Sequence, residues 1–421
     1  MRIIADLQIH SKYSRACSQD LNPQSIAEWA DKKGIQVVGT GDFTHPKWLL
    51  ELKESLEELR PGIYGLRDKT STANFMITGE VSSIYKQGDR VRRVHNMVLV
   101  PSFEAADKII AGLEQAGANL KADGRPIMGV KCPDLVKIVK TASADAEIIP
   151  AHAWTPHFGV FGSLSGFDSI EEAFGEQAKH IFAIETGLSS DPKMNWQISG
   201  LDKYSLVSNS DAHSLRKIGR EANVFETIPD KLSYSEIIRI IREKNPKEFL
   251  FTLEFFPEEG KYHLDGHADC KFSCLPTQTK KLGGICPVCG KKLLVGVLNR
   301  VGELADREHG FTPPSSIPFK SVIPLEEIIA ETLDVGVSSK KVVEMYEKMV
   351  AKFPEFEILL DLAEGQVSEI STAAIGQAVS RVREGKVKLE GGYDGVFGKI
   401  NIFSQEEREK LLKKPKQVRL F

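Results

Sequence analysis

Through residues 1–255, short runs of β-branched and aliphatic side chains alternate with stretches whose apolar positions recur at helical spacing, the pattern of an α/β fold. The runs predict strands at Arg2–Leu7, Ile35–Gly39, Asn74–Thr78, Val94–Val100, Glu147–Pro150, Ile181–Ile184 and Tyr204–Val207. Between them the periodicity predicts helices, among them Pro23–Lys33, Pro46–Leu59, Glu104–Ala116 and Pro133–Thr141. The texture then changes. Residues 256–312 are dense in Gly, Cys, His and Lys, as a small metal-stabilised insert would be. A Pro-rich linker, Phe311-Thr312-Pro313-Pro314-Ser315-Ser316-Ile317-Pro318, leads out of it. Beyond the linker, Pro324–Leu333, Ser339–Phe353, Phe356–Leu362 and Ser368–Glu384 read as helices, so residues 313–412 are expected to form a mainly helical module. Residues 413–421 are a basic tail.

With 421 residues, the chain is longer than one typical core, in keeping with those divisions. It has 41% apolar and 27% charged residues, the balance of a globular protein, and no apolar run of bilayer length. Met1-Arg2-Ile3-Ile4-Ala5 reads directly as a strand, without a secretory leader, so a cytoplasmic protein is expected. The net charge of -3 argues against non-specific coating of nucleic acid and is compatible with a local basic groove. Four of the six cysteines fall between Cys270 and Cys289. In such a chain that clustering reads as a metal site, not a disulfide framework.

Candidate chemistry gathers where the strands end. Asp6, Gln8 and His10 follow the first strand; Asp42 and His45 the second; Glu80 the third. His95 lies at the fourth, His152 follows the fifth, Glu185 the sixth, and Asp211 and His213 the seventh. In barrels of parallel strands the loops at the carboxyl ends share one mouth. Imidazole and carboxylate without thiolate suit zinc, manganese or ferrous iron, and there are too many donors for one tetrahedral ion. Two or three divalent ions, of zinc, manganese or magnesium, are expected, and such clusters hydrolyse phosphoesters. Glu80, Asp211 and His152 are the residues expected to carry the reaction.

The order Asp6-Leu7-Gln8-Ile9-His10-Ser11, Thr40-Gly41-Asp42-Phe43-Thr44-His45, Gly79-Glu80, His95, Ala151-His152 and Ser208-Asn209-Ser210-Asp211-Ala212-His213 resembles the PHP (polymerase and histidinol phosphatase) family. The resemblance implies a distorted seven-stranded (β/α) barrel with a trinuclear metal centre. By position it implies one ion at His10, Glu80 and Asp211, a second at Glu80, His95 and His152, and a third at His45 and His213. The chain departs from the family in three places. Gln8 stands where the first of two histidines belongs, and its amide oxygen is the weaker ligand, so looser binding is expected there unless Asp6 compensates. His45 comes three residues after Asp42, not directly after an Asp. Arg15, Ala16 and Cys17 occupy the place of a further histidine, and Cys17 reads as an ordinary packed thiol, with a ligand role the lesser alternative.

Cys270-x3-Cys274 with Cys286-x2-Cys289 has the spacing of a four-cysteine structural zinc site. His263 and His267 precede it and read as surface or DNA-contacting residues, since four thiolates fill a tetrahedron. Gly391-Gly392-Tyr393-Asp394-Gly395-Val396-Phe397-Gly398-Lys399 is a glycine-dense turn. Its backbone could approach a phosphate beside Tyr393 and Lys399, or simply close a hairpin. In the tail, Gln417, Leu420 and Phe421 resemble the start of a sliding-clamp peptide; an ordinary frayed tail is the alternative. Barrel, zinc insert, helical module and tail together resemble the archaeal endonuclease Q family. That resemblance implies cleavage of duplex DNA on the 5′ side of deaminated bases and abasic sites. Arg90, Arg92, Arg93, Tyr393 and Lys399 are the expected DNA contacts, with Tyr85, Trp154, His157, Phe158, Trp196 and Arg216 in loops beside the ligands. Two rivals stay open: a small-molecule phosphoesterase, and a DNA-binding subunit whose centre Gln8 has degraded.

Overall fold

The computed structural model describes residues 1–412; the tail residues Gln417, Leu420 and Phe421 lie outside the described residues. The architecture is mixed α/β, built on an 11-stranded sheet. From one edge its strands run Phe319–Ser321, Phe249–Glu254, Ala222–Glu226, Arg2–Asp6, Val37–Gly39 and Asn74–Gln87. Arg2–Asp6, Val37–Gly39 and Asn74–Gln87 are parallel neighbours. All seven predicted strands are present, though two were read too short. Asn74–Gln87 and Arg90–Val100 form one long antiparallel hairpin, paired from Ile77 with Val100 to Gln87 with Arg90. Glu147–Pro150 adds antiparallel to it, while Ala183–Glu185 and Ser205–Val207 make a separate parallel pair.

Single bonds join that pair to the sheet on both sides. The Ala153 amide donates to the Glu185 carbonyl at 3.0 Å, and that of His10 to Ala212 at 2.9 Å. These links bring the carboxyl ends of Arg2–Asp6, Val37–Gly39, Glu147–Pro150, Ala183–Glu185 and Ser205–Val207 around one centre, beside the middle of the long hairpin, where Glu80 lies opposite Met97 and His95 opposite Ser82.

Local chemistry explains the elements. Helix Pro23–Lys33 starts where Asn22 accepts from the Ser25 amide and Pro23 presets the first turn. It ends at Gly34, whose φ of 78° suits the left-handed cap. Its Ile26, Ala27 and Ala30 face the core. The helix predicted over Pro46–Leu59 stops at Ser55. From there Leu56–Arg60 and Ile63–Leu66 form a hairpin that buries Leu56 against the sheet, because Pro61-Gly62 turns the chain back.

The C-terminal module holds helices Leu325–Leu333, Lys340–Val350 and Glu355–Leu360, and the stretch read as one helix over Ser368–Glu384 is divided between Glu364–Ile370 and Ala373–Arg383, where Thr372 caps the second piece. It is not separate from the sheet. Phe319–Ser321 pairs in parallel with Phe249–Glu254, and one apolar core runs from Ile4 to Phe403. A buried ion pair fastens the helices: Lys33 Nζ lies 2.8 Å from Glu355 Oε2, which also accepts from Tyr346 Oη at 2.8 Å. The insert is tied to the loops beside the sheet by Arg300, which donates to the carbonyls of Phe161 and Phe167. No helix among the described residues is long and apolar enough to cross a membrane.

Candidate metal centre

Six of the eleven expected ligands fall into two tight groups: His10, Asp211 and His213 in one, and Glu80, His95 and His152 in the other. Within each group the donor atoms lie within 4.8 Å of one another. Glu80 joins them. Its Oε1 lies 3.1 Å from His152 Nε2 and also meets His95 Nδ1, while its Oε2 lies 3.1 Å from His10 Nε2. His10 Nε2 is in turn 2.9 Å from Asp211 Oδ1. Lone-pair donors that converge this closely in a buried place call for cations between them, so the residues fit divalent metal.

The imidazoles are pre-set for that task by their other nitrogens. Asp42 Oδ1 lies 3.0 Å from His10 Nδ1, and Asp42 Oδ2 is fixed by Ser14 Oγ at 2.8 Å and the Ser11 amide at 2.7 Å. Thr155 Oγ1 lies 2.9 Å from His152 Nδ1 and donates onward to the His152 carbonyl. His213 Nδ1 lies 2.8 Å from the Asp211 carbonyl. A proton on each of these nitrogens leaves Nε2 as a free donor facing the centre, the usual support behind metal-binding histidines.

Electrostatics follow the same layout. Burial pushes the Glu80 carboxyl up, but His95, Arg125 and His10 overcome it and hold it well below the usual range. Asp211 is lowered despite its burial, by His10 and His213. Burial brings His95 down to about 4, whereas Glu80 lifts the equally buried His152 to about 9. Asp42, His152 and Asp211 all hold left-handed backbone, with φ of 45°, 28° and 48°. Such strain gathers where side chains must be aimed.

The other five expected ligands surround these groups without entering them. Asp6 accepts from the amides of Ser210 and Gly219 at 3.0 and 2.8 Å, and burial raises it to about 6. It straps the loop carrying Asp211. With its amide nitrogen turned toward Glu185, Gln8 donates to both carboxylate oxygens at 3.0 Å. Glu185 also accepts from Asn209 at 2.8 Å and the His152 amide at 2.6 Å, and burial raises it to about 8. Asp42 orients His10. His45, expected with His213, instead stacks on Tyr13 with ring centres 4.4 Å apart.

In the insert, His267, Cys270, Cys286 and Cys289 are the residues brought together. Cys274, expected as a ligand, lies outside this group and hydrogen-bonds Thr279 Oγ1 at 3.2 Å. The strand Asp265–His267, paired with Phe272–Cys274, carries the His267 imidazole into the group. Although burial opposes it, the amides of Val288 and Cys289 lower the Cys286 thiol.

Among the expected DNA contacts, Arg90, Arg93 and Lys399 are exposed. Arg92 is not available: it is buried, lies over the Phe167 ring and donates to Gly166 and Glu172. Tyr393 is half-buried, and its turn is pinned to the insert by the Leu264 amide at 2.8 Å from the Gly392 carbonyl. Tyr85 and Trp154 are core residues, Trp196 packs on Phe319, and Arg216 pairs with Glu326. Phe158 sits 4.3 Å from the His95 ring, with His157 exposed beside it. Sequence reasoning missed Arg125 and Thr155, which no motif marked, and His267, which the His-x2-Cys spacing before Cys270 could have revealed.

Comparison with known proteins points the same way. A crystal structure of endonuclease Q in complex with a 27-mer duplex substrate bearing an abasic lesion at the active site is 30% identical to this chain. It has a TM-score of 0.86 and covers 99% of both chains. The novel lesion-specific endonuclease PfuEndoQ of Pyrococcus furiosus is 29% identical at a TM-score of 0.85, over 99% of this chain and 98% of its own. The uncharacterized protein YqxK of Bacillus subtilis (strain 168) is 27% identical over 415 residues, which are 95% of this chain and 99% of YqxK. A family model described as the MJ0043 C-terminal domain matches residues 324–386.

Proposed function

The chain belongs to the endonuclease Q family of lesion-specific, metal-dependent DNA endonucleases, and from that premise we propose that it hydrolyses the phosphodiester on the 5′ side of deaminated bases (uracil, hypoxanthine, xanthine) and of abasic sites, leaving a 3′-hydroxyl and a 5′-phosphate. What carries the reading is the pair of donor groups joined through Glu80, in a chain matching over nearly its whole length an enzyme bound to an abasic duplex. We read the ring of strands as the distorted seven-stranded PHP barrel.

His10, Asp211 and His213 would hold one ion, Glu80, His95 and His152 a second, and Glu80 would bridge them. Such ions, when bound, make hydroxide available near neutral pH and offset charge on phosphoryl oxygens. The protein keeps the imidazoles aimed through Asp42, Thr155 and the Asp211 carbonyl. Zinc or manganese suits these donors better than magnesium, which prefers oxygen. A structural zinc would occupy His267, Cys270, Cys286 and Cys289. Arg90, Arg93 and Lys399 are the side chains free to meet the duplex backbone. A base turned out of the stack, at a cost of a few kcal/mol that damage lowers, would find Phe158 beside the centre.

The test is gel analysis of labelled duplexes carrying no lesion, one deoxyuridine or one abasic site, with and without a chelator, beside a phosphomonoester colour assay. Incision of lesion duplexes alone, lost on chelation, is expected. Hydrolysis of the monoester with intact duplexes would overturn the reading.

A further inference from the structure

Arg125 belongs to none of the sequence motifs, yet its Nη1 lies 3.2 Å from Glu80 Oε2. Glu80 is fully buried, whereas the Arg125 side chain is 24% exposed, so the guanidinium has one side on the centre and another toward solvent. Among the described residues no other lysine or arginine pairs with the carboxylate of Glu80 or Asp211, and the Nε and Nη2 donors of Arg125 have no protein partner. Building on the nuclease reading, we propose that Arg125 grips the non-bridging oxygens of the scissile phosphate, as a positioning residue for the incision.

The loop that presents it is held on both sides. The Gly124 amide donates to the Tyr13 carbonyl at 3.0 Å, and Asp123 Oδ1 accepts from the amides of Arg125 at 3.0 Å and Arg15 at 3.3 Å. On the other side the Ser82 amide donates to the Pro126 carbonyl at 3.0 Å. Gly124 lies against Asp42 and Ser14 so closely that a Cβ would collide with both. The absence of a side chain there is what lets Arg125 reach the centre.

Charge supplies the ligand's identity. Glu80 and Asp211 carry too little negative charge to neutralise two divalent cations, so a permanently charged guanidinium beside them adds to a positive excess. An anion relieves that excess. The planar fork of donors matches two phosphate oxygens, a geometry that an ammonium cannot reproduce. Were holding Glu80 the whole task, neither the solvent-facing donors nor the fork would be needed.

The test compares the parent protein with Arg125→Met and Arg125→Lys. Incision is followed in single turnover on a duplex with one abasic site, and bound metal is measured by elemental analysis. Affinity is measured for two uncleavable duplexes that differ at the scissile linkage, a charged methylene phosphonate and a neutral methylphosphonate. Arg125→Met should keep its ions, incise about 100-fold more slowly, and lose at least tenfold of the parent's preference for the charged linkage; Arg125→Lys should recover part of both. Loss of the ions in Arg125→Met would assign Arg125 to holding Glu80 alone. An unchanged preference with full metal would also overturn the proposal. A parent that ignores the abasic duplex would instead fail the nuclease reading on which the proposal rests.

Discussion

Asp42, His152 and Asp211 adopt a backbone conformation that costs a residue with a Cβ roughly 1–2 kcal/mol. At Asp211 this cost separates backbone from chemistry. Asp211→Gly should stabilise the metal-free protein by about 1 kcal/mol in urea denaturation while abolishing incision, and Asp211→Asn should be inactive at nearly parental stability. A less stable glycine variant would mean that the surroundings do not strain this position. Glu80→Gln should keep the fold, lower bound metal and stop incision; cleavage at the parental rate with full metal would remove Glu80 from the centre. A third residue answers to pH. Glu254 is fully buried, accepts from Thr186 Oγ1 at 2.9 Å, and is raised by burial to about 8, whereas an unfolded glutamate titrates near ~4.3. The folded state therefore binds the extra proton, and this group's contribution to stability falls as pH rises from the unfolded value to about 8. Glu254→Gln cannot lose a proton, so its urea midpoint should decline less than the parent's between pH 5 and pH 9. Parallel declines would show that other groups set the slope.

Among the elements, the junction of helix Pro23–Lys33 with the C-terminal helices rests on a charge pair hidden from water. Glu355→Leu leaves the Lys33 ammonium buried, now without its partner, and should cost roughly 3–5 kcal/mol. Adding Lys33→Met should recover most of it, as measured by urea denaturation; no recovery would shift the effect to Tyr346 and the Leu325 amide, which also contact Glu355. In the insert, Cys286→Ser and His267→Ala should release zinc and Cys274→Ser should retain it, read by elemental analysis. The reverse pattern would restore the four-cysteine set. The strands were legible as short apolar runs, and reading the polar residues that follow or interrupt them is what put His10, Glu80, His95, His152, Asp211 and His213, which the fold gathers into two groups, among the candidates. The outer half of the long hairpin was not, since Ser82, Ser83 and Lys86 break its apolar pattern although Ser82 and Ser83 are buried. Nor could sequence show which donor atoms converge. Asp6, Asp42 and Glu185 are the right residue types in the right loops, and only the directions of their oxygens distinguish them from Glu80 and Asp211.

At the scale of the whole molecule, an apolar cluster with members from Ile4 to Phe403 crosses both expected divisions, at 255 and at 312. A chain cut after residue 312 loses the edge strand Phe319–Ser321 and the Glu355 partner of Lys33. It should be recovered as aggregate, as judged by gel filtration; a soluble, active fragment would show that the barrel stands alone. The pairing of that edge strand was illegible for the same reason that it matters: its partner, Phe249–Glu254, precedes the entire insert. Viewed in time, the connection acts as a delay. A ribosome working at about 5–20 residues per second releases Phe249–Glu254 with one flank open and needs several more seconds to deliver the strand that covers it. All six donors of the two groups lie earlier still in the chain. Each newborn molecule thus displays its candidate metal ligands before its scaffold is complete, and early capture of ions would hold the strands in register while the last one is still being made.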